Sequence, residues 1–267
     1  MNIFTAILIQ PLANGLMVFY KLLGGNMGLA IIVYTIFLRF ILNPLTKPYM
    51  ESMKKMKDLA PQILKLKKKH GNDKVKFAQA QADFYKEKGI NPGAGCLPYI
   101  LQIVVLIAFF NVFMKALSPN GDATAQFNQL LYQPLKFAEG DVLNTKFLYL
   151  DITRPDKFNL PFLPFSIPGP LLIITALVQF LSAKINTPYT EIEEKVADKT
   201  SEKGDDFQVA MQKSMIYTFP LFTLLIGMNF ASGLAIYWLV FSLTQAIQQI
   251  KSQGWGGLAS WAEKFKV

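Results

Sequence analysis

Long apolar stretches with almost no charged residues divide the chain. They lie between Lys21 and Lys47, where Arg39 is the only charge, and between Lys88 and Lys115, Lys157 and Lys184, and Lys213 and Lys251. A membrane core about 30 Å thick requires roughly 20 apolar residues in a helix. The last stretch has 37 uncharged residues, about 55 Å of helix, and Asn229–Gly233 supplies a break within it. The pattern therefore predicts five transmembrane helices.

The predicted fold class is an all-α membrane protein, because these apolar stretches are long enough for membrane-spanning helices, one in each of the first three stretches and two in the last. The predicted elements are an N-terminal interfacial helix over 1–22, transmembrane helices over 23–46, 93–117, 165–186, 213–229 and 232–251, a cytoplasmic helical hairpin over 47–92, an extracytoplasmic loop over 118–164, a cytoplasmic loop over 187–212 and a cytoplasmic tail over 252–267.

The first twenty residues are apolar but differ from a signal peptide, since they lack a basic start and a small-residue cleavage site. Gln10, Pro11 and Asn14 interrupt the segment. Its apolar residues recur at every fourth position, at Phe4, Leu8, Leu12, Leu16 and Tyr20. This spacing favours a helix that lies in the outer interface, with a sixth, short span as the alternative.

The lysine distribution predicts the orientation in the membrane. Pro44–Pro92 contains twelve lysines and five acids, whereas Ser118–Phe165 contains four Lys or Arg and five acids. Because cytoplasmic segments are enriched in Lys and Arg, we expect the N-terminus outside and the C-terminus inside. The net charge of +9 comes mostly from this one segment, which predicts a polyanion or a membrane surface as a cytoplasmic partner.

The lysine-rich segment 47–92 is predicted to fold as a helical hairpin. Apolar stripes with helical spacing run through each half, and Gly71–Asp73 supplies the turn. The run Lys65–Lys69 is compatible with a solvated face that reinforces topology. It is also compatible with a surface for ribosomal RNA or anionic lipid, because clustered lysines suffice to neutralise phosphates.

Composition excludes several kinds of chemistry. Hydrophobic residues make up 52% of the chain and charged residues 17%, which is typical of a membrane protein. With one cysteine, Cys96, the chain can form no internal disulfide and no thiolate metal cage, and with one histidine, His70, a His-based metal site or a Ser-His-Asp triad is nearly excluded. The predicted spans contain no Asp, Glu or His, which weighs against a proton-coupled pump. We expect no cofactor and no enzymatic activity.

Arg39 is the strongest functional signal. An arginine within a span costs about 2.5–3.5 kcal/mol on insertion scales, and no predicted span carries a carboxylate that could neutralise it. Arg39 precedes Lys47 by eight residues, so its side chain could extend to the inner interface. The functional alternative is a hydrated cavity open to the cytoplasm.

Three predicted spans carry polar stripes at helical spacing. The stripes are Thr35, Arg39 and Asn43; Thr175, Gln179, Ser182 and Asn186; and Trp238, Ser242, Gln245 and Gln249. Any one stripe is explained by ordinary contacts between helices. Because all three spans run from outside to inside in the predicted topology, however, the stripes together predict a polar groove that opens to the cytoplasm.

A positively charged groove would receive an acidic or polar peptide segment as it crosses the membrane. The groove would shorten the distance that the segment travels through water-free hydrocarbon. The same residues are compatible with an anion-conducting channel or a small-solute transporter. No repeated ring-forming motif supports a channel. No internal repeat supports a transporter either.

The chain resembles the YidC-type membrane protein insertases along nearly its whole length. The matching segments, in order, are Thr35–Arg39, Asn43–Lys47, Ser52–Met56, Asn91–Pro98 with Gln102, Phe147–Ile152, Ser232–Trp238 and Gln248–Gln249. The resemblance implies insertion and folding of newly made membrane proteins in the bacterial cytoplasmic membrane, alone or beside the Sec translocon. It also implies that Arg39 is the groove arginine, and that Thr35, Tyr237 and Trp238 contact the substrate.

The sequence departs from the family pattern in two places. Members commonly have a proline before the last span, where this chain has Phe230-Ala231-Ser232-Gly233. The basic tail is also reduced, since only Lys264 and Lys266 follow Lys251 and Glu263 opposes them. Any ribosome contact is therefore expected from the hairpin lysines.

Overall fold

A computed structural model describes residues 3–70, 73–89, 97–117, 122–186 and 216–258. The predicted hairpin turn at 71–72, the start of the second predicted span, the cytoplasmic loop and most of the tail lie outside the described residues. Helices dominate the described chain.

Eight α-helices are described. They are α1 (Gln10–Leu22), which follows a π-helical turn at Thr5–Ile9, α2 (Met27–His70), α3 (Lys74–Glu87), α4 (Leu97–Ala116), α5 (Ala123–Asn128), α6 (Pro170–Asn186), α7 (Ile216–Gly227) and α8 (Ser232–Gln253). The predicted break at Asn229–Gly233 lies at the junction of α7 and α8, and its last two residues, Ser232 and Gly233, are the first two of α8. By length and composition, Thr5–Leu22 and Met27–Leu45 are candidate membrane spans, and Ile103–Ala116, Pro170–Ile185 and Ile216–Gly227 are shorter apolar helices.

The chain divides into two compact units, Phe40–Val104 and the remainder, Met1–Arg39 with Val105–Val267. The smaller unit holds most of α2, all of α3 and the start of α4. The α3 helix begins where the Asp73 side chain accepts a hydrogen bond from the Lys76 N–H at 3.1 Å. Lys65, Lys68 and Lys69 are exposed.

Helix α2 crosses the predicted border at 46/47 without interruption. The border marks a change from apolar to lysine-rich residues, which alters what the helix faces. It does not alter the backbone hydrogen bonds, and lysine is a good helix former. Pro44 and Pro48 lie inside the helix although proline lacks the N–H that an inner helical position donates.

In the larger unit α8 lies between α2 and α4. A Cβ atom built on Gly233 would lie 3.1 Å from the Phe113 ring and 3.3 Å from Ile31 Cδ1, so α8 packs closely against both helices at this glycine. Two turns further along, Arg39 lies against Phe241, and α2 therefore runs parallel to α8. The ring of Phe109 stacks on Tyr237 with 4.5 Å between centroids, so α4 runs antiparallel to α8.

The remaining apolar helices continue this alternation. The Thr175 hydroxyl of α6 lies 3.5 Å from the Ala235 carbonyl of α8, and Gly256, just beyond α8, approaches Ile185 near the end of α6. Helix α6 is therefore parallel to α8. Contacts of α7 with α6 run the other way, because Gly227 faces Leu172 and Tyr217 faces Phe180.

The connection between α4 and α6 has regular structure that the sequence does not reveal. It contains α5 and two antiparallel hairpins, β1 (Lys146–Phe147) with β2 (Leu150–Asp151), and β3 (Lys157–Phe158) with β4 (Ile167–Pro168). Strands of two residues are too short to show an alternating pattern. We call this connection, residues 117–169, the α4–α6 loop.

Helix α1 packs against α2 and the α4–α6 loop. Its Phe19 ring lies 5.4 Å from Tyr34 and 5.1 Å from Phe37. The buried Asn14 side chain donates to the Leu130 carbonyl at 3.1 Å and accepts from the Tyr132 N–H at 2.7 Å. Leu16 and Tyr20 of the predicted apolar face are buried, so this face covers protein at both positions.

Candidate functional site

Arg39 lies on α2, half-buried, with its guanidinium folded over the ring of Phe241 on α8. The distance from Arg39 Cζ to the ring centroid is 4.5 Å. Its Nε atom is buried and has no hydrogen-bond partner in the described chain. No described carboxylate pairs with it. The aromatic face provides part of the stabilisation that a carboxylate would give, since cation–π contacts contribute about 0.5–2 kcal/mol.

The other two predicted residues of the α2 stripe have different surroundings. Thr35 is buried, and its hydroxyl donates to the Ile31 carbonyl of its own helix at 2.6 Å. Asn43 is exposed and belongs to the Phe40–Val104 unit. Thr35 and Arg39 therefore belong to one compact unit and Asn43 to the other.

The predicted stripe on α6 is turned into the protein. Thr175, Gln179 and Ser182 are all buried. Thr175 donates to the Leu171 carbonyl at 2.7 Å and approaches α8, whereas the buried Oε1 of Gln179 has no hydrogen-bond partner in the described residues. Gln179 lies one turn beyond Thr175 on α6.

The stripe on α8 is also turned inward. Trp238 is 8% exposed, and its buried Nε1 has no described acceptor. Ser242 is buried and Gln245 half-buried. Tyr237 is buried and held by the Phe109 stack, which makes it a packing residue whatever else it contacts.

Among the described residues four buried side-chain polar atoms have no partner, and three of them lie on the three parallel helices: Arg39 Nε, Gln179 Oε1 and Trp238 Nε1, the fourth being Gln126 Oε1 of α5. Natural proteins pair almost all buried polar groups, and each unpaired one costs about 1–3 kcal/mol. Simple contact between helices explains Thr175, but it leaves these three atoms unexplained. The Arg39 guanidinium and the Trp238 indole can donate hydrogen bonds to a bound group, and the Gln179 amide oxygen can accept one.

Sequence reasoning missed Phe241. Its position four residues after Tyr237 and three after Trp238 is a weak signal, because phenylalanine is common in apolar helices. Only the register between α2 and α8, with Ile31 beside Gly233 and Arg39 beside Phe241, identifies it as the neighbour of the arginine.

In the described ranges no group of three His, Cys, Asp or Glu side chains is placed to hold a metal ion. The polar atoms of the site belong to arginine, glutamine and tryptophan, which are poor metal ligands compared with His, Cys and carboxylates. The site is therefore suited to a polar or anionic group.

The fold and the site define a class of protein: a mostly helical membrane protein with a half-buried arginine that has no carboxylate partner among the described residues. A family model described as "60Kd inner membrane protein" matches residues 18–254. The chain belongs to this family, that of the YidC-type membrane protein insertases.

The relatives it matches carry that name. A "Membrane protein insertase YidC" of Fusobacterium nucleatum is 31% identical over 225 residues, covering 84% of this chain and 85% of the relative. A "Membrane protein insertase YidC 2" of Bacillus anthracis is 26% identical over 250 residues, covering 92% and 79%. A "Membrane protein insertase YidC" of Treponema denticola is 30% identical over 233 residues, covering 87% of this chain but 35% of that relative.

Proposed function

We propose that the protein is a non-enzymatic membrane protein insertase in which α2, α6 and α8 line a polar groove open to the cytoplasm. The observation that carries the proposal is the set of unpaired polar atoms on these parallel helices, Arg39 Nε, Gln179 Oε1 and Trp238 Nε1. In a membrane such atoms require water or the polar groups of a client as partners. The names of the relatives support the same function.

The residues proposed to line the groove are Arg39, Thr35, Asn43, Gln179, Ser182, Tyr237, Trp238, Ser242 and Gln245. An acidic segment of a new chain enters beside Arg39, and its apolar remainder leaves sideways into lipid. The membrane potential assists, because an anion moving outward gains about 2.3 kcal/mol per charge per 100 mV. Arg39 stabilises the negative charge of the client segment within the membrane.

In the proposed topology five helices cross the bacterial cytoplasmic membrane, with the N-terminus outside and the C-terminus inside. The α4–α6 loop is then outside, and α3 with the lysine-rich part of α2 is cytoplasmic. Lys65, Lys68 and Lys69 are exposed, which suits contact with ribosomal RNA or anionic lipid. The proposed partners are new membrane proteins, the ribosome, the Sec translocon and membrane lipids.

Arg39 variants in proteoliposomes test the proposal. Single-span clients with an acidic or a neutral outer segment are offered, and inserted client is measured by protease protection. We expect Arg39→Ala to reduce insertion of the acidic client about tenfold, equivalent to about 1.4 kcal/mol. Arg39→Lys should stay near wild type, because an ammonium keeps the charge and also binds an aromatic face. Phe241→Leu should lie in between.

Lys115→Ala is the matched control, since it removes an exposed cation from the end of α4. If the wild-type protein inserted neither the acidic nor the neutral client, the proposal would be contradicted. If Arg39→Lys were as defective as Arg39→Ala, the guanidinium would have a structural or bidentate role.

An anion channel or small-solute transporter is the second candidate, because the same lone cation would attract anions. A chloride gradient across the vesicle membrane distinguishes the two functions. A channel would dissipate the gradient without any client, whereas the proposed insertase should hold the gradient.

A further inference from the structure

The segment Tyr149–Asp156 of the α4–α6 loop binds the first turns of both α6 and α8. We call it the outer clamp. The first N–H groups of a helix have no partner within the helix, and here a single short segment supplies the acceptors for two helices. The two helices belong to the proposed groove, and the clamp contacts both at the same end.

At α6 the acceptors are side chains. Asp156 is 3% exposed, and its Oδ2 accepts from the Leu172 N–H at 3.0 Å. The Tyr149 hydroxyl accepts from the Leu171 N–H at 2.9 Å and donates to the Asp156 carboxylate at 3.2 Å. The Gly169 N–H, just before the helix, donates to the Asp156 carbonyl at 2.9 Å.

At α8 the acceptors are backbone carbonyls. The Ser232 N–H donates to the Arg154 carbonyl at 2.8 Å, and the Gly233 N–H donates to the Ile152 carbonyl at 3.1 Å. The Ser232 hydroxyl donates to the Asp151 carbonyl at 3.1 Å. Ala231, the residue before the helix, has no side-chain cap of its own. The clamp therefore replaces the usual capping side chain of α8.

We infer that the outer clamp closes the outer end of the proposed groove by fixing α6 and α8 against each other, with Asp156 and Tyr149 as positioning residues. The inference rests on the proposed function. It explains how an arginine-lined groove is kept from conducting anions: the polar stripes remain open only toward the cytoplasm. When the clamp is released, α6 and α8 separate at their first turns and the groove becomes a path for anions.

Chloride efflux from proteoliposomes, measured beside client insertion, tests the clamp. Asp156→Ala removes the acceptor of the Leu172 N–H, and Tyr149→Phe removes only a hydroxyl from a half-exposed ring. We expect each variant to release chloride about tenfold faster than wild type, equivalent to about 1.4 kcal/mol between clamped and released loops. Asp141→Ala, which removes an exposed carboxylate of the same loop, should not change the efflux.

Adding Arg39→Ala to each clamp variant separates a groove leak from misfolding. We expect the double variants to lose the faster chloride efflux, because anions that leak through the groove would be attracted by the positive charge of Arg39. Efflux unchanged by Arg39→Ala would overturn the inference, as would wild-type efflux in a folded Tyr149→Phe protein. Wild-type insertion is scored separately, so a failure of the proposed function is distinguishable from a failure of the clamp.

Discussion

The carboxyl of Asp151 is held mainly in its charged form by its neighbours. Partial burial raises the pKa of this carboxyl, but hydrogen bonds from Thr153 and Thr145 and the charge of Arg154 outweigh burial and lower the pKa. The Thr153 hydroxyl donates to Asp151 Oδ1 at 2.7 Å. A carboxyl with a lowered folded pKa stabilises the fold above its unfolded pKa, and this stabilisation is lost as pH falls through the folded pKa.

Asp151→Asn is therefore expected to lower the melting temperature at pH 7 and to have a shrinking effect as pH falls from about 5 to about 3. The effect at pH 7 should be about 1 kcal/mol or less, because the side chain is partly exposed. Thermal unfolding in detergent at several pH values measures the difference. Asp141→Asn serves as the control, and a wild-type advantage independent of pH would contradict the expectation.

Some residues of the candidate site are predictable from the sequence and others are not. Arg39 stands out because charge is rare in an apolar stretch, and the inward burial of Gln179 and Trp238 follows from helical spacing. Phe241 and Asp156 do not stand out. Their roles depend on the register between helices and on a loop path, and neither leaves a periodic trace in the chain.

At the scale of elements, the Asn14 side chain links α1 to the α4–α6 loop by two hydrogen bonds. Its side chain accepts from the Tyr132 N–H and donates to the Leu130 carbonyl. Asn14→Ala leaves both backbone groups without their partner. We expect a loss of about 1–3 kcal/mol in unfolding free energy, measured by chemical unfolding in detergent, with faster hydrogen exchange at Tyr132.

Asn111→Ala is the matched control, because its amide donates to the Ile107 carbonyl of its own helix at 2.8 Å. Equal losses for the two variants would show that the contact between α1 and the loop has no special weight. A loss confined to Asn14→Ala would show that this contact holds α1 in place.

Element types are more predictable than element borders. Apolar stretches with little or no charge locate α2, α4, α6, α7 and α8, since an apolar helix leaves a long and uniform pattern in the sequence. The continuity of α2 past residue 46 is not predictable from polarity, because polarity reports the surroundings of a helix rather than its backbone. The two short hairpins depend on contacts with distant residues, and the sequence pattern contains no sign of them.

At the scale of the whole molecule, the proposed orientation is open to direct labelling. In a chain with Cys96→Ser, single cysteines are placed at Val142 and Val75, which are 84% and 76% exposed. We expect a membrane-impermeant maleimide to label Val142→Cys in intact cells and Val75→Cys only after permeabilisation. The reason is the lysine excess around Val75. The reverse pattern would contradict the orientation.

The parallel course of α2, α6 and α8 has an electrical consequence. Each helix carries about half a positive charge at its N-terminus, and the three N-termini, at Met27, Pro170 and Ser232, lie at one end of the bundle. In the proposed orientation that end faces outward. The macrodipoles of these three helices then have the same sign as the transmembrane voltage, and the antiparallel helices α4 and α7 offset part of this field.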